Sequence, residues 1–393
     1  MNTNGKSNVI STEQLEMISS ENIAPESSEI KPKKQRKTPT NLNKVEDVRL
    51  DLDAGSARAK FVVDGWCGNY PTMFKEVVGE LPSGISGCFS IGTKNYAVGQ
   101  VANSLNGNLV EAFKDNKIKF LHIWLIGALS THPDLLADIA NRRKYKGKPA
   151  RLKITLRLLS LSSSKRNDIS KILGELKSFT CEGCEFQLEV TNSDYLFPEG
   201  YGSALEAVKK VADGTREFNV LDLGGGTLTF STYQVGKRPK AVEQTSGSGN
   251  GMKAVIERLS IALARVDRGG VQYRKESLES ALRNSKPLGD GKHSVKYRHG
   301  QESLEIGDTV AHALSEWVAE SPIVETLLAK VSQALLNGTP VFACGGGFAI
   351  SAVAGWIEKY VTRDIEAPQF TILPSPQDIN LTGLKYLDSS SHN

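Results

Sequence analysis

The chain has 393 residues, 39% of them hydrophobic and 23% charged, with a formal net charge of +4. That length favours two domains with ordinary cores, and so small a net charge means that any contact with nucleic acid must rest on local clusters. No run reaches the roughly 18 to 20 apolar residues of a membrane helix, and the polar N-terminus has no apolar segment with a small-residue cleavage site. Five scattered cysteines (Cys67, Cys88, Cys181, Cys184 and Cys344) make no disulfide framework, so a soluble cytoplasmic protein with free thiols is expected.

Residues 1–45 lack apolar periodicity and are rich in polar, charged and proline residues, so burial cannot offset their ordering entropy and a disordered arm is expected. The arm carries Lys31, Lys33, Lys34, Arg36 and Lys37, which leaves three readings open: a DNA-binding arm, a partner-docking arm or a solubilising leader. If each cation neutralised one phosphate, the logarithmic salt slope of DNA binding would be about −4.5.

From Val48 the pattern changes. Val48, Leu50 and Leu52 alternate with polar residues as a strand, and Phe61 to Val63 follow a glycine turn as its hairpin partner. Helices are predicted over Ile118–Ala140, interrupted at His132-Pro133, then a strand over Ile154–Leu161, a helix over Asp168–Lys177 and a strand over Phe186–Val190. Such alternation argues for α/β layers. The basic run Arg142, Arg143, Lys144, Lys146, Lys148, Arg151 and Lys153 reads as a charged helix end and loop. A helix over Glu206–Ala212, a buried strand over Val220–Leu223 and a return strand over Ser231–Val235 come next. Beyond them the chain reads as largely helical: Gly251–Val266, Lys275–Arg283 and one long helix from Asp308 to Asn337, before a short strand over Val341–Cys344.

Three segments place a glycine turn directly after a buried strand. In Leu50-Asp51-Leu52-Asp53-Ala54-Gly55-Ser56, Gly55 permits a tight turn whose amides can face a phosphate, and Asp53 at the strand end suits the water shell of Mg²⁺. Leu221-Asp222-Leu223-Gly224-Gly225-Gly226-Thr227 repeats the design. Two such hairpins facing each other would grip a polyphosphate from both sides, with the aspartates on the metal. In Val341-Phe342-Ala343-Cys344-Gly345-Gly346-Gly347, successive glycines let backbone approach a flat adenine or ribose. A glycine triplet alone is more often a turn or a helix cap, so the order of the three segments carries the weight.

That order is Asp53-x-Gly55-Ser56 with Lys60, Phe197-Pro198-Glu199-Gly200 with Gly202-Ser203-Ala204, Asp222 to Thr227, Gly345 to Gly347, and Asp378-Ile379-Asn380-Leu381-Thr382-Gly383-Leu384. It resembles the phosphate-1, connect-1, phosphate-2, adenosine and connect-2 motifs of the actin, heat-shock-chaperone and sugar-kinase superfamily, over about Arg49 to Leu387. The Pro-Glu-Gly wording and the absence of a peptide-binding domain look like the plasmid-segregation (ParM-type) branch.

The resemblance implies an α/β, actin-like (ribonuclease H-like) two-domain ATPase fold with the nucleotide in the interdomain cleft. Domain I would be residues 46–215 plus 370–387, domain II residues 216–369, and residues 388–393 a flexible tail. It further implies ATP, with GTP as the alternative, and Mg²⁺ held through water by Asp53 and Asp222. Gly55, Ser56, Gly224, Gly225, Gly226 and Thr227 would contact phosphates, and Gly345, Gly346 and Gly347 would lie under the adenosine. Glu199 would polarise the attacking water, although its bland alternative is a helix N-cap neighbour. Lys60 would either reach the phosphates or be a solvated strand residue. Gly247-Ser248-Gly249-Asn250-Gly251 before a helix could cradle phosphate or sugar, with Lys253 and Glu257 near the ribose. The implied activity is slow ATP hydrolysis coupled to filament assembly, with identical subunits and a DNA-bound adaptor as partners, no membrane contact and a prokaryotic cytoplasmic location.

Two other readings stand beside it, a non-polymerising nucleotide-dependent scaffold and a small-molecule kinase of the same superfamily, though no convincing catalytic aspartate for a kinase is found. Cys181-Glu182-Gly183-Cys184 has chelate spacing without a second ligand pair, so a surface turn is expected. No Walker lysine motif, Gly-x-Ser-x-Gly elbow or His-Glu-x-x-His pair is present.

Overall fold

In the computed structural model, residues 45–111, 116–143, 149–159, 163–191, 196–266, 273–289 and 292–389 are described. The arm with Lys31 to Lys37 and the last tail residues, 390–393, lie outside them. An antiparallel meander, β1 (Val45–Ala54), β2 (Arg58–Val63) and β3 (Trp66–Pro71), leads into β4 (Met73–Val77), β5 (Cys88–Ile91), β6 (Lys94–Val98), α1 (Val101–Ser104) and β7 (Gly107–Glu111). Helices α2 (Asn116–Lys119), α3 (Leu121–Thr131) and α4 (Leu135–Arg143) precede β8 (Ala150–Leu159), α5 (Arg166–Glu175), β9 (Ser178–Cys181), β10 (Cys184–Thr191), β11 (Leu196–Phe197) and α6 (Tyr201–Ala207).

A second meander follows, β12 (Glu217–Leu223), β13 (Thr227–Gln234) and β14 (Lys240–Ser248), then α7 (Met252–Val266) and α8 (Lys275–Arg283). The hairpins β15 (Lys286–Gly289) with β16 (Lys292–Ser294) and β17 (Lys296–His299) with β18 (Glu302–Glu305) lead to α9 (Gly307–Ala319) and α10 (Pro322–Leu336). The chain closes with β19 (Val341–Cys344), α11 (Ser351–Thr362), β20 (Phe370–Ile372), α12 (Ile379–Thr382) and α13 (Tyr386–Ser389).

The two meanders open two sheets of the same design. One runs β3-β2-β1-β8-β10 and continues through β9, β5, β6, β4 and β7; the other runs β14-β13-β12-β19-β20. In both, three antiparallel strands are followed by two that lie parallel to the first of them. Consequently β1 and β12 occupy equivalent central positions, and the turns that leave them, with Asp53 and Asp222 at the strand ends, are equivalent too. Each sheet buries its own large core. Leu50, Leu52, Phe61, Trp124, Leu156 and Phe186 belong to the first, and Leu221, Leu228, Val255, Trp317, Leu328 and Ile357 to the second. Helix α3 is buried along nearly its whole length, as a helix apolar on every side must be.

Between the cores, α6 crosses α12. A Cβ on Gly202 would lie 1.7 Å from the Asn380 carbonyl oxygen, and one on Gly383 would lie 2.1 Å from the Gly202 carbonyl oxygen, so only glycine permits this approach. On the first sheet a buried ion pair joins Arg157 to Asp51, and Arg157 Nη1 donates to the Leu384 carbonyl at 3.1 Å, tying the sheet to the chain after α12.

Several expectations need correction. The long helix predicted from Asp308 to Asn337 is two helices, because Pro322 has no N–H to continue the ladder and instead opens α10. The helix predicted over Glu206–Ala212 spans Tyr201–Ala207, one turn earlier, because Gly200 adopts φ 83° and starts it. Strand β8 begins at Ala150, so Arg151 and Lys153 are outward residues of a strand rather than of a loop, while Lys144, Lys146 and Lys148 lie outside the described residues. The second half is less helical than its apolar pattern suggests, since β14 and the two hairpins are mostly exposed and offer little periodicity. Phe370–Ile372 pairs with β19, so residues 370–372 belong to the second sheet and the return to the first begins after them. Val45 is already strand.

Cys181 and Cys184 flank the two-residue turn of the β9–β10 hairpin, as free thiols. Glu182 and Gly183 both have positive φ, 49° and 75°, the conformation of a tight hairpin turn. Among the described residues no helix is long and apolar enough to cross a membrane.

Candidate functional site

The turns after β1 and β12 meet. A Cβ on Gly225 would lie 2.6 Å from the Ala57 Cβ, and one on Gly226 would lie 3.1 Å from Ser56 Oγ, so glycine lets the two sheets bring these turns into contact. The first turn closes through Gly55 N–H donating to the Asp53 carbonyl at 2.9 Å, and Thr72 Oγ1 holds the Gly55 carbonyl at 2.6 Å.

The second turn is braced from behind by the start of α7. The amides of Gly249, Met252 and Lys253 donate to the carbonyls of Gly226, Gly224 and Gly225 at 2.8, 3.0 and 2.9 Å. In a trans peptide the carbonyl and the following N–H point in opposite directions. The amides of Gly225 and Gly226 therefore point away from α7, as successive donors of the kind that receive an anion. This corrects the reading of Gly247 to Gly251 as a cradle. The first amides of α7 are taken by the turn, and Gly251 is glycine because a Cβ there would lie 2.5 Å from the Thr227 nitrogen.

Asp53 and Asp222 are both buried at the ends of their strands, and half-buried Glu199, two residues before α6, acts electrostatically with both. Thr227 Oγ1 donates to Glu199 Oε1 at 2.9 Å and Thr229 Oγ1 to Glu199 Oε2 at 3.2 Å, so β13 holds both carboxylate oxygens. Gln244 Nε2 donates to the Glu199 carbonyl at 3.0 Å. Burial raises the Glu199 pKa; the nearby Lys117 charge and the Thr227 bond oppose that rise, and the Asp53 carboxylate adds to it. Burial, then the neighbouring Glu199, push Asp222 up to about 7, with Lys60 acting in the opposite sense and Asp53 in the same one. Three carboxyl groups thus share one poorly solvated region.

Lys60, the cross-strand neighbour of Asp53, donates its Nζ to the Gln377 carbonyl. Its ammonium is therefore tied to the segment before α12. In the third glycine segment Gly345 has φ 94°, and a Cβ there would lie 2.3 Å from Asp222 Oδ1. A Cβ on Gly347 would lie 2.4 Å from the Leu223 side chain, whereas Gly346 faces open space. Two of the three glycines therefore serve the packing of β19 against β12, and Gly346 alone has free space beside it. Lys253 is exposed on the first turn of α7; Glu257 is exposed and pairs with Lys275 at 3.6 Å.

Sequence reasoning missed three participants. Lys117 on α2 carries no motif signal. Thr229 follows the phosphate-2 wording but is set on Glu199 only by the strand's alternation. Asn380 stands in the connect-2 segment without a role assigned there; its Nδ2 donates to Asp222 Oδ2 at 3.1 Å, and a polar amide within an apolar segment is the signal for it.

Among the described residues no group of three His, Cys, Asp or Glu side chains could hold a metal directly. Hard oxygen donors from two aspartates nevertheless fit Mg²⁺, which keeps most of its water and needs only one or two carboxylates beside a phosphate.

No family profile and no curated protein matches the sequence. Solved structures do match. An archaeal actin homolog shares 17% identity over 88% of this chain and 99% of its own, with a TM-score of 0.62. The fold is actin-like. A 15-stranded ParM filament from Clostridium botulinum shares 13% identity over 89% of this chain and 100% of its own, TM-score 0.59. A Bacillus thuringiensis ParM with ATP shares 15% over 88% and 98%, TM-score 0.54. At such identities the fold is what is shared, and the actin-like arrangement includes structures of the ParM type.

Proposed function

We propose that this chain binds Mg-ATP between its two sheets, hydrolyses it slowly and assembles into filaments that segregate plasmid or other DNA in a prokaryotic cytoplasm. One observation carries the reading: Asp53, Asp222 and Glu199 converge where two equivalent glycine turns touch. The fold, shared with an ATP-bound and a filamentous ParM structure, supports it.

In this reading Asp53 and Asp222 hold Mg²⁺ through water. The amides of Gly225 and Gly226 with Thr227, and Gly55 and Ser56 opposite, receive the phosphates, and Gly345 to Gly347 lie beside the adenosine. Lys253 and Glu257 are assigned to the ribose side and Lys60 to the phosphates. Glu199 orients the attacking water: a half-buried carboxyl with both oxygens fixed suits a reaction that needs positioning and charge compensation more than a nucleophile. Bound Mg²⁺ would neutralise charge on the terminal phosphates.

Domain I would comprise the first sheet with the segment after β20, and domain II the second sheet, hinged at the α6–α12 crossing. Closure on nucleotide would switch a head-to-tail contact, and such a contact propagates as a filament when its rotation does not close. The partners would be identical subunits and a DNA-bound adaptor, with the N-terminal arm as a further candidate contact to nucleic acid.

Phosphate release and electron microscopy on the same purified sample test this. Mg-dependent ATP turnover with filaments is expected; turnover without filaments by microscopy and light scattering would favour a nucleotide-dependent scaffold.

A further inference from the structure

Asn380 is buried on α12 and joins three elements. Its side-chain amide donates from Nδ2 to Asp222 Oδ2 at 3.1 Å, and its Oδ1 accepts the Ser203 backbone N–H at 3.4 Å. Ser203 lies on α6, one residue from Gly202, whose backbone touches that of Asn380 at the helix crossing. The other Asp222 oxygen, Oδ1, lies against Gly345. The Asp222 carboxylate is thus fixed on one side by the end of β19 and on the other by the crossing itself.

An amide suits this place because it donates to one neighbour and accepts from the other. An aliphatic residue would leave both the Ser203 N–H and Asp222 Oδ2 without this partner, and a carboxylate would face Asp222 with like charge.

We propose that Asn380 is a positioning residue that sets the Asp222 carboxylate for Mg²⁺ from the α6–α12 crossing, so that metal binding and the hinge are coupled through one side chain. The inference rests on the reading of Asp222 as a metal-binding residue. With the hinge at this crossing, as in the proposed function, closing or opening the sheets turns α6 against α12, and that rotation acts on both Asn380 bonds. Metal and nucleotide would then favour one hinge angle because only that angle presents Asp222 correctly. Differential affinity of this kind is what allows a ligand to shift a conformational equilibrium.

The test compares ATP affinity with Mg²⁺ and in excess EDTA, by calorimetry on the full chain, for wild type, Asn380→Ala, Asn380→Ser and Asp222→Asn. The serine variant keeps a polar group in the buried site in case the alanine variant does not fold; thermal melting reports folding for each. Groups that hold metal-binding side chains typically change metal affinity by 10- to 100-fold, so the tightening of ATP by Mg²⁺ should shrink at least about tenfold in the Asn380 variants. Their EDTA affinity should stay within about twofold, because the turn amides that receive phosphate are untouched. A folded Asn380 variant with undiminished Mg²⁺ tightening, or with equal weakening in both conditions, overturns the coupling while Asp222→Asn still loses its metal response. If Asp222→Asn itself keeps the full metal response, the metal reading of Asp222 falls and this inference falls with it.

Discussion

Thr227 Oγ1 donates to Glu199 Oε1 across 2.9 Å, joining the glycine turn after β12 to the segment that precedes α6. With Thr229 on the other oxygen, the carboxylate is held by two hydroxyls of one strand, at positions 227 and 229, which alternation places on the same face. A residue so fixed stays in register with β13.

Thr229→Val keeps shape and removes one of these donors. Hydrolysis should slow about five- to tenfold, the worth of one hydrogen bond, with ATP affinity within about twofold of wild type. Thr229→Ser restores the hydroxyl and should restore most of the rate. Single-turnover phosphate release on the three proteins checks this, and equal rates for the valine and serine variants would remove the positioning role.

Replacing Glu199 itself should cost more. Glu199→Ala should retain Mg-ATP binding and lose about 10²-fold or more in turnover, as loss of a group that orients or activates water does. Unchanged turnover would return Glu199 to the plain role of a residue before a helix.

The raised carboxyl groups set a pH dependence. The Asp222 carboxyl titrates near 3.8 when unfolded and at about 7 in the fold, so between those values the native protein holds a proton that the unfolded chain has released. Stability then falls as pH rises through that window, and Glu199, raised chiefly by its own burial, acts in the same sense. Metal-free wild type should therefore lose more melting temperature between pH 5.5 and pH 8 than Asp222→Asn does. Parallel melting curves for the two proteins would contradict it.

The helix crossing tolerates no side chain. Gly202→Ala would drive a Cβ into the Asn380 carbonyl oxygen, which is backbone and cannot yield cheaply. A loss of about 2 kcal/mol or more is expected in urea unfolding, within the range for overpacked cores. Gly346→Ala, at a position facing open space, should leave stability within about 0.5 kcal/mol.

Much of this was legible in the sequence. The alternation of Val48, Leu50 and Leu52, the apolar run ending at Leu223 and the strand Val341–Cys344 each report burial within a few residues, and the glycine turns follow directly. The three carboxyl groups were found because each lies in a local motif. Asn380, Lys117 and Thr229 act across the fold: Asn380 and Asp222 are 158 positions apart, and nothing within a short window pairs them. The hairpins between Lys286 and Glu305 were missed because exposed strands need no apolar period, and the break before Pro322 was missed because the helical period resumes on its far side. Gly345 and Gly347 carry a packing role that the motif does not show, for a related reason. A triplet of glycines reads as room for a ligand, yet two of them make room for Asp222 and Leu223.

A structure of the full chain with Mg²⁺ and a non-hydrolysable ATP analogue tests the central claim most directly. The account predicts the terminal phosphates between Ser56 and the amides of Gly225 and Gly226, with the metal's waters on Asp53 and Asp222 and the attacking position facing Glu199. A saturated protein with nucleotide bound elsewhere, or with these turns still in contact and nothing between them, would contradict it.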